Sequence, residues 1–159
     1  MKNLPRTTNE SSWTTDEVRL FRTTVRQFVE SELVPNQPRW RAQHHPDAQA
    51  YLKAGALGML LPDIADDYGG GGGTFAHEAV VLEELARAGV IFGASVQCIV
   101  AHYVLAFGSE EQKRRWLPPM ARGELIGAIA MTEPGAGSDL QAIKTTARRD
   151  GNEFVVDGS

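Results

Sequence analysis

The sequence predicts a mainly α protein with a C-terminal β portion. Up to about residue 120, apolar side chains recur at helical intervals, whereas from residue 125 onward they occur in short runs separated by turn residues. The 159 residues, with 42% hydrophobic content, are enough for one domain with its own core and too few for two full ones. We therefore expect an all-helical domain over residues 1–124 and the start of a β domain over residues 125–159.

The first predicted helix begins with Thr14 and Glu17, which have the spacing of a capping box. Its apolar residues recur at helical intervals as far as about Ser31. Pro35 and Pro38 are expected to end this helix because proline cannot donate a backbone hydrogen bond. A loop should follow them.

That loop is predicted over residues 36–45, and four further helices follow it. They are expected over residues 46–54, 74–88, 91–107 and 110–120. The helix over residues 91–107 is apolar around most of its circumference, so we expect it to be buried on several sides. The glycine run 69–73 predicts a mobile connection, since no strand precedes it as a phosphate-binding loop requires. The expected core includes Phe21, Phe28, Leu85, Ile99 and Val104.

Three strands are predicted in the C-terminal part, over residues 125–131, 143–149 and 154–156. A turn-rich segment lies between the first two, where Pro134 fixes one backbone angle and Gly135 and Gly137 permit conformations and close approaches that a Cβ would forbid. Its exposed amides, with the hydroxyls of Thr132 and Ser138, could bond the rim or the phosphates of a cofactor. A plain Pro-Gly turn between two strands explains the spacing equally well.

Composition excludes several classes of protein. The formal net charge of −4 is spread over interspersed acidic and basic residues, which gives no basic stripe for nucleic acid. Cys98 is the single cysteine, so an internal disulfide is excluded. No stretch approaches the roughly 20 apolar residues of a membrane span, and we expect a cytoplasmic protein.

Residues 127–140, GAIAMTEPGAGSDL, resemble the signature of the acyl-CoA dehydrogenase family. Further blocks resemble the same family in its order and spacing: residues 55–58, 67–70, 107–113, 116–120, 123–124, 144–147 and 150–158. Within the family, residues 129–132 and 139–141 are most similar to the long-chain branch. The resemblance implies the family's N-terminal helical domain plus an incomplete middle β domain.

The resemblance also implies an activity, the FAD-dependent α,β-desaturation of fatty acyl-CoA, with electrons passing to electron-transferring flavoprotein. Five positions match the family's FAD contacts: Ala130, Met131, Thr132, Gly137 and Ser138. Ser138 also matches a position where the family touches acyl-CoA. Full-length members of the family form homo-oligomers.

No catalytic residue is assigned, because the family's catalytic glutamate lies in a C-terminal bundle. We interpret Glu133 as structural, and we expect Asp139 to bond local backbone amides. The resemblance therefore predicts a truncated N-terminal portion that is inactive alone. The alternatives are a non-catalytic helical interaction module that retains the fold, and a fragment similar to acyl-CoA oxidases.

The remaining ionisable side chains give no metal-binding motif. His44 and His45 are adjacent in a predicted loop, and His77 with Glu78 suggests a solvated helix face. A satisfied core position is expected for His102, with lining of the acyl pocket as the alternative. The pairs 83–84 and 110–111, all glutamates, are expected at the surface.

Overall fold

The computed structural model describes residues 13–158, which divide into two compact units after Ala128. The helices of the first unit are α1 (Asp16–Phe28), α2 (Gln37–Gln43), α3 (Ala48–Ala56), α4 (Phe75–Arg87), α5 (Ala94–Phe107) and α6 (Glu110–Ala121). A π-helix (Val29–Leu33) and a 3-10 helix (Val34–Asn36) join α1 to α2, and another 3-10 helix spans Asp66–Tyr68. None of the described helices is both long and apolar enough to cross a bilayer.

Helix α1 begins one residue later than the capping pattern predicted. Thr15, rather than Thr14, is the N-cap, and its hydroxyl accepts the backbone N–H of Val18 at 3.3 Å. The helix then buries Val25 and Phe28 against α4. The amphipathic pattern therefore located this helix correctly and misplaced only its first turn.

The predicted loop over residues 36–45 is wrong, because the chain remains helical there as α2. The amide of Val34 bonds the carbonyl of Val29 to close the π-helix, and a new helical turn begins at once. Pro35 lies in the first turn of the 3-10 helix, and Pro38 lies in the first turn of α2. Backbone N–H groups in a first turn have no acceptor within the helix, so proline costs no hydrogen bond there. Trp40 is buried as a result.

The glycine run forms a hydrogen-bonded loop rather than the free linker that its composition suggested. The amides of Gly71 and Gly73 donate to the carbonyls of Leu61 and Pro62, both at 2.9 Å. A Cβ on Gly70 would lie 2.2 Å from the carbonyl oxygen of Ile64, so only glycine fits this close approach. These glycines are needed for packing within the first unit.

Helix α5 buries one face rather than the several sides that we expected. Ala94, Gln97, Cys98 and Ala101 are buried, and Phe107 is 81% exposed. The core prediction was correct for two of its members, partly correct for two more, and wrong for one. Phe28 and Leu85 are buried, Phe21 and Val104 pack against the core from its edge, and Ile99 is 44% exposed. An apolar composition could not indicate which face is covered.

The prediction that the glutamate pair 83–84 lies at the surface fails for Glu84, whose side chain is only 1% exposed. Three arginines satisfy its carboxylate: Arg22 at 3.1 Å, Arg26 at 2.8 Å and Arg87 at 2.8 Å. Burial raises the pKa of Glu84, but the hydrogen bonds from these arginines outweigh burial and lower it to about 2. Arg22 and Arg26 lie 62 and 58 residues from Glu84 in the sequence, so local sequence patterns cannot show this arrangement.

His77 is also buried, contrary to the predicted solvated helix face. It occupies the third position of α4, and its ring Nδ1 accepts the backbone N–H of Thr74 at 3.1 Å. The Thr74 side chain caps the His77 backbone in return. This reciprocal pair is a capping box in which histidine takes the place usually held by glutamate or glutamine.

The second unit contains a 3-10 helix (Leu140–Ala142) and two strands, β1 (Thr146–Asp150) and β2 (Glu153–Asp157). The strands pair antiparallel, with Ala147 opposite Val156, and Gly151 takes the left-handed conformation that their turn requires. Both predicted hairpin strands are thus present with shifted ends. The strand predicted over residues 125–131 is not formed, because no described strand runs beside this segment to supply its ladder partners.

Candidate functional site

The predicted cofactor segment is a tight turn in the second unit. Glu133 and Ala136 pair across it, each donating its N–H to the other's carbonyl at 3.0 Å. Pro134 and Gly135 occupy the corner between them. The plain-turn interpretation is therefore correct about local geometry, and the remaining question is what the flanking residues present to solvent.

The carboxylate of Glu133 is occupied by hydrogen bonds from the following segment. It accepts the backbone N–H groups of Lys144 and Thr145, both at 2.8 Å, and the hydroxyl of Thr145. The Thr145 hydroxyl, followed by these two amides, lowers the pKa of Glu133. An ionised carboxylate that is held in this way closes the loop over residues 133–145, which supports the interpretation of Glu133 as structural.

Asp139 bonds the local backbone, as predicted. Its carboxylate accepts the N–H of Gln141 at 3.0 Å, and its carbonyl accepts the N–H of Ala142 at 3.3 Å. Asp139 thereby begins the 3-10 helix that follows the turn.

The five predicted FAD contacts are all exposed and flank the turn on both sides: Ala130, Met131, Thr132, Gly137 and Ser138. Because Glu133 pairs with Ala136, Thr132 and Gly137 occupy the next positions on either arm of the turn. The turn therefore brings the two halves of the predicted set into one neighbourhood. Met131 is 45% exposed, so part of its apolar side chain is open to solvent.

The glycines of the turn are not required by the chain itself, contrary to the expectation from their sequence. Neither Gly135 nor Gly137 has a left-handed φ, and a Cβ on either would meet nothing within 4 Å. Within residues 13–158, the backbone amides of Gly137 and Ser138 have no hydrogen-bond acceptor. An open approach to free amides is what a bound group with acceptor oxygens or nitrogens needs.

Gln97 was not among the residues predicted from the sequence, although its side chain bonds the backbone just before this site. Its side chain is fully buried, and its amide nitrogen donates to the carbonyls of Met120 at 2.9 Å and Leu125 at 2.7 Å. Its side-chain oxygen accepts the N–H of Gly127 at 2.7 Å. Gln97 therefore satisfies backbone groups over residues 120–127 that a neighbouring strand would otherwise satisfy. The sequence signal for this role was a side-chain amide, that of Gln97, within an apolar helix.

His102 is neither a buried core residue nor isolated from carboxylates. Its side chain is 43% exposed, and its Nε2 lies 3.0 Å from a carboxylate oxygen of Asp63. Glu78 lies in the same cluster, although the sequence contains no metal-binding motif. The three residues come from separate elements, which no sequence spacing could show.

Comparison with known proteins places residues 15–124 in the family model described as "Acyl-CoA dehydrogenase, N-terminal domain". The chain is 42% identical over 142 residues to the mitochondrial long-chain specific acyl-CoA dehydrogenase of Sus scrofa, covering 88% of this chain and 33% of that protein. It thus spans about a third of the length of the curated relatives it matches.

Two solved structures agree with this match. An acyl-CoA dehydrogenase from Geobacillus kaustophilus superposes with a TM-score of 0.88 and 40% identity, over 94% of this chain and 40% of that one. An acyl-CoA dehydrogenase from Bacillus anthracis, complexed with FAD, superposes with a TM-score of 0.76 and 32% identity, over 91% of this chain and 26% of that one.

Proposed function

The chain belongs to the acyl-CoA dehydrogenase family, and we propose that its residues 130–138 form one edge of an FAD site that serves the desaturation of fatty acyl-CoA. The observation that carries this proposal is the exposed turn with free amides at Gly137 and Ser138. The Bacillus anthracis relative, which is complexed with FAD, supports the choice of cofactor.

The residues of the turn suit FAD in three respects. The open space beside Gly137 admits a flat ring or a phosphate close to the backbone, where a larger side chain would intrude. The hydroxyls of Thr132 and Ser138 can donate or accept, which matches a flavin edge that carries both kinds of group. Met131 offers apolar surface to the ring.

FAD, when bound, supplies the acceptor for the electrons removed from the α and β carbons of the thioester. The chain's own contribution is to bind and orient. Thr132 and the amides of Gly137 and Ser138 would hold the cofactor's polar edge, and the Ser138 hydroxyl would be available to the acyl-CoA. The contacts of Glu133 with Lys144 and Thr145 keep the two arms of the turn in place.

The finer assignments belong to the same proposal. We propose fatty acyl-CoA as the substrate, of the long-chain class named in the Sus scrofa relative, and electron-transferring flavoprotein as the electron acceptor. We propose a homo-oligomer for the complete enzyme. A cytoplasmic location remains a prediction, and the curated mammalian relatives are described as mitochondrial.

We propose that the 159 residues do not desaturate acyl-CoA by themselves and act as a portion of a longer dehydrogenase. Proton abstraction from the α carbon needs a positioned base, and the one carboxylate of the turn, Glu133, is already occupied. Turnover of a long-chain acyl-CoA with FAD and an artificial acceptor, lost on Glu133→Gln, would contradict this assignment.

FAD binding tests the proposal through thermal unfolding of the 159-residue chain with increasing FAD. A ligand that binds only the folded state raises the unfolding temperature as its concentration passes the dissociation constant. Gly137→Leu should weaken this response at least about tenfold in concentration, because the side chain occupies the space beside the free amides.

Ala147→Leu provides the matched control, since Ala147 is exposed on β1 away from the turn in sequence. It should keep the FAD response of the unchanged chain. An equal response in Gly137→Leu would show that FAD binds elsewhere than at this turn. No response to FAD from a folded chain would favour the non-catalytic interaction module.

A further inference from the structure

We propose that Asp63, Glu78 and His102 form a binding site for a divalent transition-metal ion such as Zn²⁺. Asp63 lies in the turn between α3 and the Asp66–Tyr68 helix, Glu78 in the first turn of α4, and His102 in the middle of α5. All three belong to the first unit. The proposal is independent of the FAD site.

The donor atoms are close enough to share one ion. One atom from each residue lies within 4.8 Å of the other two, and Nε2 of His102 is 3.0 Å from Oδ2 of Asp63. Tetrahedral zinc holds nitrogen and oxygen donors at about 2.0–2.2 Å, which places the donors roughly 3.5 Å apart. From separations of at most 4.8 Å, the donor atoms must therefore approach one another by no more than about 1.3 Å to share one ion.

Asp63 supplies a second, independent observation. Its Oδ1 atom is buried and has no hydrogen-bond partner among the described residues. A buried carboxylate oxygen without a partner is costly, and folded proteins rarely leave one. A cation bound by Oδ1 would give this oxygen a partner.

The local charge also favours a cation. The carboxylates of Asp63 and Glu78 belong to the same cluster of donor atoms, so two acidic groups lie close together. Within residues 13–158, neither carboxylate has an ion pair with lysine or arginine, and His102 is the basic group beside them. A divalent ion would neutralise both carboxylates at once.

The site has an entry route and a place for water. The half-exposed ring of His102 opens to solvent beside Ile99 and Tyr103. Cys98 lies nearby, but its buried thiol donates to the carbonyl of Leu60 at 3.0 Å, so we do not assign it as a ligand. We therefore assign three protein ligands, with water completing the coordination.

The ligand chemistry selects the class of ion. An imidazole nitrogen favours zinc and its transition-metal neighbours, whereas Mg²⁺ and Ca²⁺ prefer oxygen ligands alone. His102 therefore decides between the two classes, and its replacement is the most informative change.

Isothermal titration of the metal-free 159-residue chain with ZnCl₂ tests the site, with thermal unfolding as a check on the fold. We expect one saturable site per chain. His102→Gln and Glu78→Gln should each weaken Zn²⁺ binding at least about tenfold, since loss even of an outer-shell partner costs 10–100-fold. His45→Ala and Glu111→Gln, both exposed positions outside the cluster, are matched controls that should keep the affinity.

Several results would overturn the proposal. Among them are the absence of saturable Zn²⁺ binding by a folded chain, and loss of binding in His45→Ala but not in His102→Gln. Tighter binding of Mg²⁺ or Ca²⁺ than of Zn²⁺ would also overturn it, because an imidazole ligand would then contribute nothing. Should His102→Gln unfold, Glu78→Gln and Asp63→Asn carry the test.

Discussion

The backbone N–H of Thr145 donates to the carboxylate of Glu133 at 2.8 Å, and the Thr145 hydroxyl donates to the same oxygen. This contact joins the predicted cofactor turn to the residues that lead into β1. It also shows the atoms through which Glu133 takes the structural role that we expected for it.

Glu133→Gln should loosen the turn. A glutamine has one acceptor oxygen and one donor nitrogen, so it cannot accept both amides that the carboxylate holds. We expect faster hydrogen exchange at the amides of Lys144 and Thr145, measured residue by residue. Glu153→Gln, an exposed change on β2, should leave both rates unchanged, and equal acceleration in the two variants would contradict the assignment.

Glu84→Gln should destabilise the first unit by about 2–4 kcal/mol, because a buried ion-pair partner is lost. The lower part of that range is expected, since the arginines around Glu84 retain access to water. Urea unfolding measures the change in free energy. Glu83→Gln is the matched control, as Glu83 is half exposed and pairs with Arg22, and it should cost less than about 1 kcal/mol.

Acid should reduce the contribution of Glu84. Its pKa is lowered from 4.5 in the unfolded chain to about 2 in the folded one, so the stabilisation is complete above the unfolded value and is lost as the pH falls toward the folded value. The difference in unfolding free energy between the unchanged chain and Glu84→Gln should therefore shrink from about pH 5 to about pH 2. A difference that grows over this range would contradict the arrangement.

Gln97→Met should destabilise the chain by about 2–3 kcal/mol, although the volume is nearly kept. The substitution leaves the carbonyl of Leu125 and the N–H of Gly127 without their side-chain partner. Thermal unfolding measures the loss, and hydrogen exchange at Gly127 should accelerate. Gln27→Met, on the exposed face of α1, should change stability by no more than about 0.5 kcal/mol.

Periodicity and turn chemistry predicted the parts of the fold that depend on local sequence. Helix α4 and the hairpin turn at Gly151 follow from apolar spacing and from a residue that tolerates a left-handed φ. Helix α2 could not be predicted in this way, because Pro38 signals a break unless the chain is known to restart a helix there.

The candidate site likewise combines residues that a local pattern indicates with contacts between residues far apart in the chain. The signature indicated the tight turn beside Thr132 and Ser138, because such a turn is encoded locally, and the contact of both residues with FAD stays a prediction. The contacts of Gln97 and of Glu84 join residues far apart in the chain, so only the folded arrangement shows them. Asp63 and His102 are also far apart in the chain, so their contact could not be predicted from the sequence.

The most direct test of the proposed FAD edge is the amide NMR spectrum of the 159-residue chain during titration with FAD. We expect progressive chemical-shift changes centred on the five predicted contacts, Ala130, Met131, Thr132, Gly137 and Ser138. The amide signals of Gly137 and Ser138 should shift most, because these amides gain a hydrogen-bond acceptor. Shifts confined to residues 13–128, or an unchanged spectrum at millimolar FAD, would contradict it.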